Sequence, residues 1–121
     1  MAVVYRHIQV TRETGLFAVR LRRRHLDEMD IVELADELMA LIKEEGCRKL
    51  ALALGPGRLE CLYSVFLAKL VMVRRSLTEH GGKLILCEAT PETVAIFESC
   101  HLKDYFDFQP DMAAATTALV T

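Results

Sequence analysis

The apolar positions of this chain change their period several times, and each change marks an element. From Val3 to Val10 (VVYRHIQV), Val4, Ile8 and Val10 alternate roughly with Tyr5, His7 and Gln9, as in a strand with one wet face. Leu16–Leu21 repeats the period through Phe17, Val19 and Leu21, and Arg12-Glu13-Thr14-Gly15 supplies the turn of an opening β-hairpin. Arg20, Arg22, Arg23 and Arg24 then break the pattern and read as a solvated strand end. The period lengthens next. Ile31, Leu34, Ala35, Leu38, Leu41 and Ile42 share one face of a helix over Ile31–Glu45, with Asp30 as cap, Glu33 three residues on and Gly46 at its close.

Lys49–Leu54 (KLALAL) is apolar on both faces, the mark of a central strand, and Gly55-Pro56-Gly57 turns the chain away from it. A second helix over Val65–His80, with Ser64 as its N-cap, turns Phe66, Leu67, Leu70, Val71, Val73 and Leu77 inward and stops at Gly81-Gly82. Lys83–Cys87 is another buried strand. Thr90 caps a third helix whose first turn holds Pro91, where a missing N–H costs nothing. Tyr105–Phe108 reads as a last short strand, and Pro110-Asp111 opens a final alanine-rich helix.

The order ββαβαβαβα predicts an α/β domain: a mostly parallel central sheet of about five strands, an N-terminal hairpin and flanking helices joined by right-handed crossovers. Leu50, Leu52, Leu54, Leu84 and Leu86 should be buried. Residues 1–121 are enough for one core, and no linker or repeat divides them. With 15 basic and 17 acidic residues interspersed, the net charge of −2 gives no attraction for nucleic acid or an anionic membrane. No apolar run is long enough to span a bilayer, and MAVVYRHIQV is charged too early for a secretory signal. Cys47, Cys61, Cys87 and Cys100 contain no C-x-x-C pair and read as reduced thiols filling the core of a cytoplasmic protein.

The candidate chemistry is thin. Gly55-Pro56-Gly57 lacks the Gly-Lys-Ser/Thr of a phosphate loop and the third glycine of a dinucleotide fingerprint. His25 lies near Asp27, Glu28 and Asp30, but no second histidine stands at helical spacing, so no metal is expected. Ser64 and the cysteines have no nucleophile context. Neither an enzyme nor a cofactor is indicated.

The stretch RRSLTEHGGKLILCEATPETVAIFESCHLKDYFDF carries the most telling order. An amphipathic helix ends in paired glycines, an apolar strand and a proline-opened helix follow, and a leucine-centred turn leads to a short aromatic strand. In this the chain resembles the STAS domain, the family of anti-sigma factor antagonists and of a related domain in sulfate transporters. His101 stands where that family usually has glycine. The resemblance implies a partner-binding regulator whose usual switch is a serine at the start of the second helix. A kinase that is itself the anti-sigma factor phosphorylates it, within a pattern near Asp-Ser-Ser-Gly-Leu-Gly. Counted back from Gly81, that pattern falls on Tyr63-Ser64-Val65-Phe66-Leu67-Ala68. The acceptor position is then Val65, which has no hydroxyl. The preceding loop is about two residues longer than usual, and Ala53 replaces an acidic residue at the strand's end.

Two functions stay open. The first is a protein-binding regulatory module, its partner an anti-sigma factor, a kinase-like regulator or another signalling protein. It would not be switched at the usual position. Its surface would be Arg58, Glu60, Tyr63, Ser64 and Val65, with Ser64 the remaining phosphorylation candidate, and a homodimer is a further candidate assembly. The alternative is a small-molecule or nucleotide-binding domain using the Gly55–Ser64 loop and the helix N-terminus beside it.

Overall fold

The opening alternation becomes an antiparallel hairpin, β1 (Ile8–Glu13) and β2 (Leu16–Leu21), with Val10 opposite Val19 and Glu13 opposite Leu16. The structure is a computed structural model and describes residues 4–120. After the hairpin come β3 (His25–Leu26), α1 (Glu28–Lys43), β4 (Lys49–Ala53), β5 (Glu60–Cys61), α2 (Tyr63–Glu79) and β6 (Lys83–Cys87). The chain then forms α3 (Pro91–Ser99), β7 (Asp107–Gln109) and α4 (Met112–Val120). One five-stranded sheet has the order β1-β2-β4-β6-β7, antiparallel only at β1–β2, and β3 with β5 forms a separate two-stranded parallel pair.

From β2 onward each crossover steps one strand further in the same direction. A right-handed crossover rule therefore places α1, α2 and α3 on one face. Packing bears this out, since Leu38, Leu70 and Phe97 from these helices share a core with Leu50, Leu52, Leu54, Leu84 and Leu86. All five strand leucines are buried. The register draws a straight apolar row across the sheet: Val10, Val19, Leu52, Leu86 and Phe108. On the opposite face Ala51, Ala53, Ile85 and Cys87 meet Ala115 and Leu119 of α4, which covers that face alone.

Several element ends differ from the sequence reading, each for a local reason. Val3 lies outside the described residues. Strand pairing begins only at Ile8 because the preceding segment runs across α1. There Glu37 accepts hydrogen bonds from the backbone N–H groups of Arg6 and His7 at 2.6 and 2.9 Å. Tyr5 and His7, expected on the wet face, are buried, and Val4 is exposed. α1 starts at Glu28 because Asp27, not Asp30, is its cap. The Asp27 side chain accepts from Asp30 N at 2.7 Å, and the Asp30 side chain accepts from Asp27 N at 3.0 Å, a reciprocal capping box. The last strand is shifted to Asp107–Gln109, leaving Phe106 buried in a turn edge-on to Phe97.

The paired glycines have separate causes. Gly81 adopts φ 76° just past α2, and its N–H and that of Gly82 close the helix on Thr78 O and Leu77 O at 3.0 and 2.7 Å. Gly82 then passes so close to the Arg48 backbone that a Cβ would collide with its carbonyl. α3 ends by the same bonds, His101 N to Glu98 O and Leu102 N to Phe97 O at 3.0 and 2.8 Å. Here His101 takes the left-handed position, at φ 59°. Its Cβ is strained where glycine would not be.

Two stability measurements follow. Leu52→Ala, at the centre of the apolar row, is expected to cost about 2–5 kcal/mol in chemical denaturation, and a cost below about 1 kcal/mol would contradict its place there. His101→Gly is expected to add about 0.5–1 kcal/mol, the relief of left-handed strain less the extra chain entropy of glycine.

Candidate functional site

The loop between β4 and α2 leaves the sheet at its C-terminal edge, and the arginine run fastens it. Leu54 N extends the ladder to Cys87 O at 2.8 Å. Gly55 follows directly beneath Glu88, where any Cβ would strike the Glu88 carbonyl. Glu88 is itself left-handed, at φ 58°, and is held by a two-pronged ion pair with Arg20 at 2.9 and 2.8 Å. That bond raises the Arg20 pKa above its usual range. Arg24 donates to Leu54 O at 2.6 Å and to Pro56 O at 3.3 Å, and burial lowers its pKa. Arg22 donates to Tyr5 O and Ile8 O at 3.1 and 2.9 Å. Arg23 reaches Asp30 at 3.4 Å. The run is solvent-exposed at Arg22 and Arg23, as expected of a solvated strand end, and its side chains also fasten neighbouring segments to one another.

The second half of the loop is equally held. Glu60 N donates to Arg24 O at 2.7 Å, and β5 lies beside β3 with His25 opposite Glu60 and Leu26 opposite Cys61. His25 Nδ1 lies 3.5 Å from Glu60 Oε2 rather than joining Asp27, Glu28 and Asp30. Leu59 is buried. Tyr63 donates to Leu59 O at 2.7 Å, stands 3.2 Å from Thr93 Oγ1 and packs edge-on against Phe66. It ties α2 to the loop and to α3, so it is a support rather than a free aromatic anchor.

Of the residues expected at the surface, Arg58, Glu60 and Ser64 are exposed, while Tyr63 and Val65 are half-buried. Val65 packs against the main core. Leu62, which the sequence reading passed over, is 54% exposed and occupies the N-cap position of α2 without a side-chain cap. Ser64 is consequently not the cap but the second helical residue. Its two successors, Val65 and Phe66, both send their N–H to Leu62 O at 3.1 Å. Met29, in the first turn of α1, is also exposed. An unexplained leucine immediately before a helix was the available signal for this apolar spot.

The site is convex. A groove of about 520 Å³ lies on the other face, between α4 and the hairpin, lined by Thr11, Leu16, Ala18, Arg20 and Met112 among others. His7, Asp30 and Glu33 bring metal-type donors within 4.8 Å of one another, but Arg23 and Arg6 already neutralise these carboxylates at 3.4 and 3.3 Å. Among the described residues no helix is long and apolar enough to cross a membrane.

No family model and no curated protein matches the sequence. Solved structures do, and what they share with this chain is the STAS fold. An anti-sigma-factor antagonist (STAS) domain protein from Planctomyces limnophilus matches with a TM-score of 0.80 at 20% identity, over 94% of this chain and 98% of the other. The Bacillus cell fate determinant SpoIIAA in its phosphorylated form gives 0.68 at 17% identity, over 92% and 98%. RsbS from Moorella thermoacetica, carrying a serine-to-glutamate substitution, gives 0.77 at 14%, over 93% and 94%.

The thiols divide by burial. Cys47 and Cys87 are enclosed, and desolvation pushes their pKa values up to about 12 and about 11. Cys61 is half-buried and raised to about 11, whereas Cys100 is exposed and not a core residue as expected. Maleimide should therefore modify Cys100 first in the folded protein and reach Cys47 and Cys87 only on unfolding. Rapid native labelling of Cys87 would contradict its place in β6.

Proposed function

We propose that this domain is a cytoplasmic regulatory module that binds a protein partner through the C-terminal edge of its sheet, and that it is not an enzyme. The observation that carries this reading is a loop held by hydrogen bonds at both ends that presents the exposed Arg58, Glu60, Leu62 and Ser64. Charged and apolar groups together on a fixed loop suit recognition of another protein. The partner class is an anti-sigma factor or kinase-like regulator. Support comes from structures of the same fold, which include anti-sigma factor antagonists, one of them in phosphorylated form. Nucleotide binding is the weaker reading. In doubly wound sheets the ligand crevice opens where the strand order reverses, and from β2 to β7 this order never reverses.

Control by phosphorylation does not act at Val65, a half-buried side chain without a hydroxyl. Ser64 is the exposed hydroxyl at the start of α2, and a helix N-terminus tolerates negative charge. Because Ser64 is not the cap, Ser64→Ala should change stability by less than about 0.5 kcal/mol, against the 0.5–2 kcal/mol of a lost cap.

The binding test uses the partner that co-purifies from the source cell, identified by mass spectrometry and then made separately. Leu62→Asp and Ser64→Asp are each expected to weaken it by about tenfold or more without lowering the melting temperature, Leu62→Asp even supplying the cap that α2 lacks, while Ser64→Ala leaves binding intact. Undiminished binding by Leu62→Asp and Arg58→Glu together would remove this edge as the contact surface. Tyr63→Ala is a poor probe, since it would loosen the loop itself.

A further inference from the structure

His7 is 2% exposed, whereas the other three histidines are on the surface. Its Nε2 lies 2.9 Å from Glu33 Oε1, and its Nδ1 lies 3.5 Å from Nη2 of Arg23. The charged groups around the ring are Glu33, Asp30 and Glu37 from α1, Arg23 from the link between β2 and β3, and Arg6 from its own segment. A carboxylate only accepts and a guanidinium only donates. These partners assign the neutral ring its proton on Nε2 and leave a lone pair on Nδ1 for Arg23. The imidazolium would still satisfy Glu33. It would also turn an N–H and a positive charge toward the Arg23 guanidinium.

Arg23 belongs to the link that holds the partner loop. The next residue, Arg24, clips Leu54 O with its side chain and accepts from Glu60 N through its carbonyl, and His25 and Leu26 then pair with Glu60 and Cys61. We propose that His7 is a protonation latch for the loop: neutral, it holds Arg23 together with Asp30 and steadies the β3–β5 pair, and protonated, it repels Arg23 and loosens that pair. The role of the latch in regulation rests on the partner-binding reading, but its operation does not. The following test needs no partner, so the two can fail separately.

The measurement is a pH 5–8 NMR titration of the whole ¹⁵N-labelled chain in a His25→Gln background, which removes the second imidazole beside the β3–β5 pair. Imidazole nitrogen shifts should show the Nε2–H tautomer of His7 at high pH. The amides of residues 23–26 and 60–62 should move with the ring's midpoint. His7→Gln, which keeps a donor for Glu33, should abolish those amide transitions. Arg23→Gln, an exposed change that serves even if His7→Gln does not fold, should raise the midpoint by about one pH unit and uncouple residues 60–62 from it. An Nδ1–H tautomer, a ring that does not titrate in this range, a midpoint indifferent to Arg23→Gln, or amide transitions persisting in His7→Gln would each overturn the latch.

Discussion

β4 is covered on both sides, and the two covers demand opposite things of it. Toward α1 and α2 it must offer bulk, which Leu50 and Leu52 supply; toward α4 it must be small, which Ala51 and Ala53 allow. A slip of one residue would exchange the two sets, thrusting leucines under α4 and leaving voids beneath the long helices. Register is therefore fixed at the centre of the sheet, and neighbouring strands inherit it through the row from Val10 to Phe108. It also fixes where the chain leaves β4. Gly55 falls beneath Glu88 because Ala53 and Cys87 are paired two residues and one residue earlier.

Winding in one direction has a functional consequence. The three long-range crossovers put their helices on one face, so no pair of adjacent loops diverges to open a cleft. What the parallel strands project at their C-terminal edge is a set of loop tips packed against one another. On the proposed function this edge serves as a surface. The groove beside α4 does not change this, since its guanidinium, Arg20, is already matched by Glu88.

Elements long enough to repeat a period were legible in the sequence: both long helices, the three inner strands and the strand leucines. Thr90 and Pro91 gave the start of α3 directly, because cap and proline act on their immediate neighbours. Misreadings arose where distant groups decide. Nothing near Tyr5 and His7 tells that Glu33, Glu37 and Glu45, between 26 and 40 residues on, will draw that segment over α1. β3 and β5, two residues each, are too short to show an alternation. The fastenings made by the arginine run were not legible because its acceptors are mostly backbone carbonyls and a carboxylate far along the chain. Asp27 and Asp30 satisfied the capping spacing one turn before the apolar face begins, so reading from the first apolar residue placed the cap too late. For Ser64 the expectation failed because Leu62, an unlikely cap by residue type, already holds that position.

A binding loop that is mobile must be ordered when its partner arrives, at about 0.5–1.5 kcal/mol for each side chain immobilised. Here the ordering is complete within the folded domain. Arg24 holds the loop's first carbonyls, Leu59 is buried beneath it, and the Tyr63 hydroxyl closes it onto α3. On the proposed function, the outward residues would meet a partner already in place. The same arrangement separates two kinds of residue that lie side by side in the sequence. Arg24, Leu59 and Tyr63 act on binding only through the shape of the loop, so their loss must appear in stability as well. The side chains of Arg58, Leu62 and Ser64 make none of the described hydrogen bonds, so an effect of theirs on binding with stability unchanged can come only from the surface itself.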